Sequence, residues 1–246
     1  MISHDKKLIF IHVPKTGGKK ISEYLYSYCD EESLRFSPFV EKGNLHAAYY
    51  EYLEYYGKEI KKYKVVSVVR NPWEKALSQY LHLYENNFHP EIFESTISNF
   101  EDHGLWSPSH FGFFARQRPP SSPSWGRFRC PRDAAELDHY EELIKLPTAL
   151  KFENFEEQVS EFFDYFDIKY DSKSLKKKVN PTSHDHYSYY YTPVLRDTIV
   201  YWAGYDLQVY NYDFRDMTAD PPVTHKYRHD SLSVTPEMNV TIEGEL

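Results

Sequence analysis

Apolar positions in this chain follow two periods that alternate along it. Leu8, Ile9, Phe10 and Ile11 form an unbroken run of branched and aromatic side chains, the pattern of a short strand covered on both faces. Pro14 and the Gly17-Gly18 pair end the run. Ile21, Tyr24, Leu25 and Tyr28 then recur at offsets of 0, 3, 4 and 7, which places them on one face of a helix. The segment predicts strand, glycine loop, helix. Lys64 to Tyr84 repeats the scheme: Val65, Val66, Val68 and Val69 predict a buried strand that ends at Arg70. Asn71 suits an N-cap and Pro72 the first helical position, and Trp73, Ala76, Leu77, Tyr80, Leu81 and Tyr84 supply the apolar face. Between these units, His46 to Ile60 carries a weaker helical pattern through Tyr49, Tyr50, Leu53 and Tyr56, placed to serve as a crossover. Strands alternating with helices predict an α/β fold around a mostly parallel sheet.

Further along, the periodicity fades from Asn99 to Asp133, where Pro119-Pro120, Ser121-Ser122-Pro123 and Gly126 mark a long irregular segment. Segments of that length are usually functional or mobile. Thr148 to Phe152 predicts a third strand leading to Asn154, a helix cap with Glu157 reaching back from the third position. Phe155, Val159, Phe162, Phe163 and Phe166 give that helix its buried face. Asn180 to Tyr191 reads as a polar, tyrosine-rich loop, and Val194, Leu195, Ile199, Trp202 and Leu207 as a last helix. After Phe214 the apolar pattern stops. The expected organisation is one domain over residues 1–215 and a flexible tail over 216–246.

Composition narrows the class. The 246 residues are 41% hydrophobic and 27% charged, which fits neither a disordered chain nor a membrane protein. A net charge of −8 argues against coating of nucleic acid, so any anion site must be local. Cys29 and Cys130 are the two cysteines, too few for a disulfide framework or a Cys-rich zinc module. A reducing, cytoplasmic setting is the simpler expectation. The apolar run Leu8 to Val13 is too short for a signal segment or a membrane span, so no stable membrane anchor is expected.

Two stretches carry candidate chemistry. In His12-Val13-Pro14-Lys15-Thr16-Gly17-Gly18 a strand runs into a glycine loop that opens a helix. Such a turn aims backbone N–H groups and the positive end of a helix dipole at one point, suited to a phosphate or sulfate, and Lys15 adds a full charge there. The stretch is not a Walker A loop, because its lysine precedes the glycines and no Gly-Lys-Ser/Thr closes it. The second stretch is Arg70-Asn71-Pro72-Trp73-Glu74-Lys75-Ala76-Leu77-Ser78, with Arg70 at the carboxyl end of a buried strand, where ligands of open α/β sheets bind. Seven helical residues turn through about 700°, so Asn71 and Ser78 lie nearly in line, and Arg70 with Ser78 can grip one anion.

As a pair, in this order and about 55 residues apart, the two stretches resemble the sulfotransferases that use 3′-phosphoadenosine 5′-phosphosulfate (PAPS), particularly the carbohydrate-type families whose first loop reads Pro-Lys-Thr-Gly-Gly. The resemblance implies a P-loop-like three-layer α/β fold. It implies that Pro14, Lys15, Thr16, Gly17 and Gly18 bind the 5′-phosphosulfate and that Arg70 and Ser78 bind the 3′-phosphate. Lys151-Phe152-Glu153-Asn154-Phe155 is similar to the family's strand before a late helix, and Tyr205-Asp206-Leu207 through Tyr212-Asp213-Phe214 to its closing segment. The resemblance spans roughly residues 7 to 214. His46 matches the histidine that serves several members as general base on the acceptor hydroxyl, a role suited to an imidazole titrating near neutral pH. Lys15 is then also the catalytic cation on the leaving oxygen.

The chain departs from the family where Lys19 and Lys20 replace the usual Thr-Ser after the glycines, and both are counted here as donor-binding, with charge replacing hydroxyl donors. Lys75 stands where Arg is common. Asn180, Ser183 and Tyr187 lie in a loop that often reaches the nucleotide in such enzymes. Arg116, Arg118, Arg127, Arg129 and Arg132 suit either a solvated loop or a sulfated or carboxylated acceptor. His184-Asp185-His186 is read as solvated, and the resemblance implies no metal. The expected reaction moves a sulfuryl group from PAPS to a hydroxyl, on a saccharide. The alternatives are a nucleotide-dependent phosphotransferase, for which a magnesium carboxylate and a Walker lysine are wanting, and a nucleotide-binding protein of the same fold without turnover.

Overall fold

The computed structural model describes residues 1–29, 46–100, 103, 107–116, 144–176 and 184–219. Its frame is a four-stranded mixed sheet in the order β1 (Ile2–Ser3), β2 (Leu8–Ile11), β3 (Lys64–Val69), β4 (Thr148–Lys151). β1 lies antiparallel at the edge, while β2, β3 and β4 run parallel, in a register that sets Phe10 beside Val66 and Val68 beside Leu150. Parallel neighbours need crossovers. Between β2 and β3 come α1 (Gly18–Leu25) and α2 (Tyr49–Tyr56), the latter continued by a 3₁₀ turn over Gly57–Lys62. Between β3 and β4 come α3 (Pro72–Leu83) and α4 (Pro90–Ser98), and after β4 follow α5 (Phe155–Tyr165), α6 (Ser172–Leu175) and α7 (Pro193–Tyr210).

The unbroken apolar runs of β2 and β3 follow from cover on both faces. The pleat sends Leu8, Phe10, Val66 and Val68 to one side, where Ile21 and Leu25 of α1 and Val159, Phe162 and Phe163 of α5 pack. It sends Ile9, Ile11, Val65 and Val69 to the other, against Tyr49 and Tyr52 of α2, Phe111, and Tyr205 of α7. This is the three-layer α/β arrangement expected from the sequence, with a mostly parallel sheet. A third cluster, Trp73, Leu77 and Tyr80 with Phe93, Ile97, Tyr190, Leu195 and Ile199, joins α3, α4 and α7 beyond the sheet.

Several local expectations need correction. The crossover helix begins at Tyr49 rather than His46, because Ala48 is extended (φ −83°, ψ 167°) and Glu51 reaches back to take its N–H at 2.8 Å. It ends at Gly57, whose φ of +73° suits a glycine. Asn154 does not cap α5. The chain enters from a 3₁₀ turn over Phe152–Asn154, so the Phe155 N–H is already met by the Phe152 carbonyl, and Gln158 rather than Glu157 reaches back, to the Lys151 N–H at 2.5 Å. β1 and α4 have no counterpart among the elements that the sequence pattern predicts. α7 is broken by non-helical angles at Ala203 (φ −134°, ψ 21°). At the start of the expected tail, Met217 takes a hydrogen bond from the Tyr189 hydroxyl at 2.6 Å and gives one to Ser188 Oγ at 3.1 Å; residues 220–246 lie outside the described residues.

Candidate active site

The first loop leaves β2 at Ile11 and is closed by Thr16, whose hydroxyl donates to the Val13 carbonyl at 2.8 Å. Lys15 (φ 64°) and Gly17 (φ 80°) both adopt left-handed angles, and Gly17 lies against the rings of Phe152 and Phe155. Gly18 opens α1 with no room for a side chain, since a Cβ there would stand 2.2 Å from a carbon of the buried His12 ring. The first turn of α1 holds no acidic residue, and among the described residues no side chain caps it. Pro14 and Thr16 are buried and Lys19 is exposed, while the buried Lys20 sends its Nζ to Glu23 at 3.4 Å.

The second stretch meets the first through one side chain. Arg70 is buried at 6% exposure, its Nη1 donates to the Lys15 carbonyl at 2.8 Å, its Nη2 to Glu74 Oε1 at 2.7 Å, and its guanidinium lies 4.2 Å over the Phe152 ring. Asn71 caps α3 by accepting from the N–H groups of Trp73 and Glu74. Arg70, Glu74, Ser78 and His82 follow at intervals of four and so share one face, with Ser78 buried. The Lys15 ammonium is felt at both ends of that stripe. Burial first and the Arg70 charge second pull it down to about 8, and its own charge is the largest influence lowering His82. Among the described residues Lys15 Nζ makes no hydrogen bond or ion pair.

His46 stands at the same loop. Its Nδ1 lies 2.9 Å from the His12 carbonyl and donates to it, which leaves Nε2 as the acceptor of the neutral ring. The two imidazoles lie 4.4 Å apart between centroids. Burial lowers the His46 pKa, against the opposing pull of that carbonyl. Burial first and the nearby His46 second hold His12 well below the usual histidine range, and its Nδ1 has no hydrogen-bond partner among the described residues.

Behind Arg70 lies a buried polar network that sequence reasoning missed. Lys75, fully buried, donates from Nζ to the carbonyls of Ser107, Pro108 and Ser109 at 3.0 to 3.1 Å. Asp206 accepts from the Ser109 hydroxyl (2.6 Å), the His110 N–H (2.7 Å) and His110 Nδ1 (2.5 Å). His110 Nε2 in turn accepts the Arg70 N–H at 3.2 Å, so the ring is neutral with its hydrogen on Nδ1, in keeping with the downward push of burial. Glu153 closes the other side, accepting the Asn71 N–H and the Tyr212 hydroxyl, each at 2.8 Å. The available signal was a charge on an otherwise buried stripe: Lys75 beside Ala76 and Leu77, and Asp206 beside Tyr205.

Other candidates are dispersed. Tyr187 is buried and its hydroxyl accepts the Arg215 N–H at 2.8 Å. His184 faces Glu74 while His186 Nδ1 meets the Ser188 hydroxyl, and among the described residues no group of three or more His, Cys, Asp or Glu could hold a metal ion. Asn180, Ser183, Arg118, Arg127, Arg129 and Arg132 lie outside the described residues. Among the described residues no helix is long and apolar enough to cross a membrane.

The chain matches the model of the Sulfotransferase family over residues 1–213, which takes in both loops, the network and the closing segment up to Asp213. It belongs to that family. A sulfotransferase of Alicyclobacillus acidocaldarius with a crystal structure aligns at a TM-score of 0.40 and 16% identity, covering 85% of this chain and 96% of its own. No curated protein matches the chain. As a sulfotransferase, the protein is a transferase whose reaction class is sulfuryl transfer. Within it, Asp206 is the tie between α7 and the end of β3. Asp206→Ala leaves three buried donors unmet and is expected to cost about 3–5 kcal/mol in urea unfolding. A loss below about 1 kcal/mol, the scale of an exposed pair, would show that the network does not hold these elements together.

Proposed function

We propose that the protein transfers the sulfuryl group of PAPS to a hydroxyl of a saccharide acceptor, in the cytoplasm and without a metal. The observation that carries this reading is the Arg70 bond to the Lys15 carbonyl, which holds the two candidate anion loops side by side. The chain offers what such a donor needs. Lys15 Nζ is half-buried and without a partner among the described residues, and the first turn of α1 carries no acid that would repel an anion. Pro14, Thr16, Gly17 and Gly18 shape the turn that would hold the 5′-phosphosulfate, Lys19 and Lys20 flank it, and Arg70 and Ser78 would take the 3′-phosphate. The lowered pKa of Lys15 supports the fit, because an ammonium that is desolvated by burial first and crowded by Arg70 second gains most from an incoming dianion.

PAPS supplies an activated sulfuryl group on a phosphate leaving group. His46, with Nδ1–H held by the His12 carbonyl, presents Nε2 to take the proton of the attacking hydroxyl. The acceptor oxygen bonds to sulfur as the bond from sulfur to the phosphate oxygen breaks, and that oxygen leaves with the electron pair. Lys15 neutralises the charge that develops on it. Arg70 and the loop N–H groups keep the donor in line.

Two outcomes follow. His46→Ala should lower transfer from labelled PAPS to a glycan panel by at least about a hundredfold, the scale of a general base, with nucleotide affinity retained. Undiminished transfer would remove His46 from the reaction, and donor binding by the parent without transfer to any acceptor would favour the reading without turnover. Affinity for 3′-phosphoadenosine 5′-phosphate (PAP) should be level between about pH 7, where its phosphates are dianionic, and pH 8, and then fall by up to about tenfold per unit as Lys15 loses its proton. In Lys15→Arg the fall should vanish, since guanidinium stays charged. A parent profile flat to pH 10 would take Lys15 out of the anion site.

A further inference from the structure

The candidate donor site holds one carboxylate beside Arg70, that of Glu74. Glu74 Oε1 stands 2.7 Å from Arg70 Nη2 and 3.4 Å from His184 Nε2, so a single oxygen is shared by the end of β3 and the loop before α7. His184 Nδ1 lies 2.6 Å from the Asp185 carbonyl and donates to it, so the ring turns its Nε2 edge toward Glu74. Side chains of Arg70 and His184 are 8% and 9% exposed against 21% for Glu74, so the carboxylate is the member of the trio nearest to solvent.

The arrangement is short of acceptors. Arg70 Nε–H is buried and has no acceptor among the described residues. Nε and Nη2 form one edge of the guanidinium, a fork that matches two oxygens of one anion, yet Glu74 meets only Nη2. A phosphate monoester carries three terminal oxygens and about two charges, enough for both nitrogens of that edge and for His184.

We propose that Glu74 is an internal stand-in for a donor phosphate. In the nucleotide-free protein it holds Arg70 and His184 in their binding positions; the phosphate of the bound nucleotide takes both from it, which makes His184 a nucleotide-binding residue. The proposal rests on the PAPS reading above. On this reading the early carboxylate of α3 keeps a buried guanidinium paired when no nucleotide is present, and it competes with the nucleotide for the same donors.

Calorimetric titration with PAP tests this. Glu74→Gln should bind about tenfold tighter than the parent, by removal of a competitor, and His184→Gln about tenfold weaker. Because a substitution at Glu74 can also loosen the fold, the parent protein provides a second readout: the imidazole nitrogen resonances of His184, assigned by their loss in His184→Gln, should move as PAP saturates. Unchanged or weaker binding by a folded Glu74→Gln, or His184 resonances that stay in place while PAP binds, would overturn the proposal. If the parent binds no PAP at all, the donor assignment itself fails and takes this proposal with it, a result distinct from the other two.

Discussion

The buried guanidinium of Arg70 is the constraint around which this site is arranged. A charge at 6% exposure is tolerated only with partners, and Arg70 finds them in separate segments: the Lys15 carbonyl in the first loop, Glu74 on α3 and the Phe152 ring after β4. Its backbone N–H is spent on His110. Each partner is thereby placed relative to the end of β3, and the two loops that sequence alone leaves some 55 residues apart are brought into direct contact.

Rigidity behind that point comes from the Lys75, His110 and Asp206 network. The three carbonyls on Lys75 Nζ fix residues 107–109, and Asp206 fixes the turn into His110, whose ring then meets the Arg70 N–H. Burial pulls Lys75 down to about 7, the cost of placing an ammonium there; the Asp206 charge offsets part of it, and the Arg70 charge adds to it. On the opposite side the close approach of His12 to Gly18 sets the entry into α1 and brings His46 to the same loop. The first loop and the candidate base are therefore both positioned by one residue, His12, through its ring at Gly18 and its carbonyl at His46 Nδ1.

What was legible in the sequence and what was not divides along range of interaction. Leu8–Ile11 and Val65–Val69 were legible because runs this short, rich in β-branched residues and covered on both faces, are too brief for a buried helix. The glycine loop and the Arg70 to Ser78 stretch were legible because each is contiguous. β1 has two residues, too short for any period, and α4 shows only Phe93 and Ile97 as a buried apolar pair. The cap assigned to Asn154 failed because a preceding 3₁₀ turn, invisible as a pattern, leaves Asn154 at φ −117°, ψ 34°, outside the extended conformation from which an N-cap side chain reaches the second or third N–H. The network was out of reach for a different reason: His110 and Asp206 are 96 residues apart, and neither neighbourhood carries a sign of the other. Glu74 was read only as part of a motif, since its meaning lies in His184, which folding brings to it.

The central claim is that the Arg70 joint and the loop around Lys15 form the donor site. Backbone hydrogen exchange of the protein with and without saturating PAP tests it most directly. Added protection is expected in 15–20, in 70–78 and in 184–188, with the sheet strands unchanged because they are already closed. Protection confined to other segments, or none in the first loop, would contradict it.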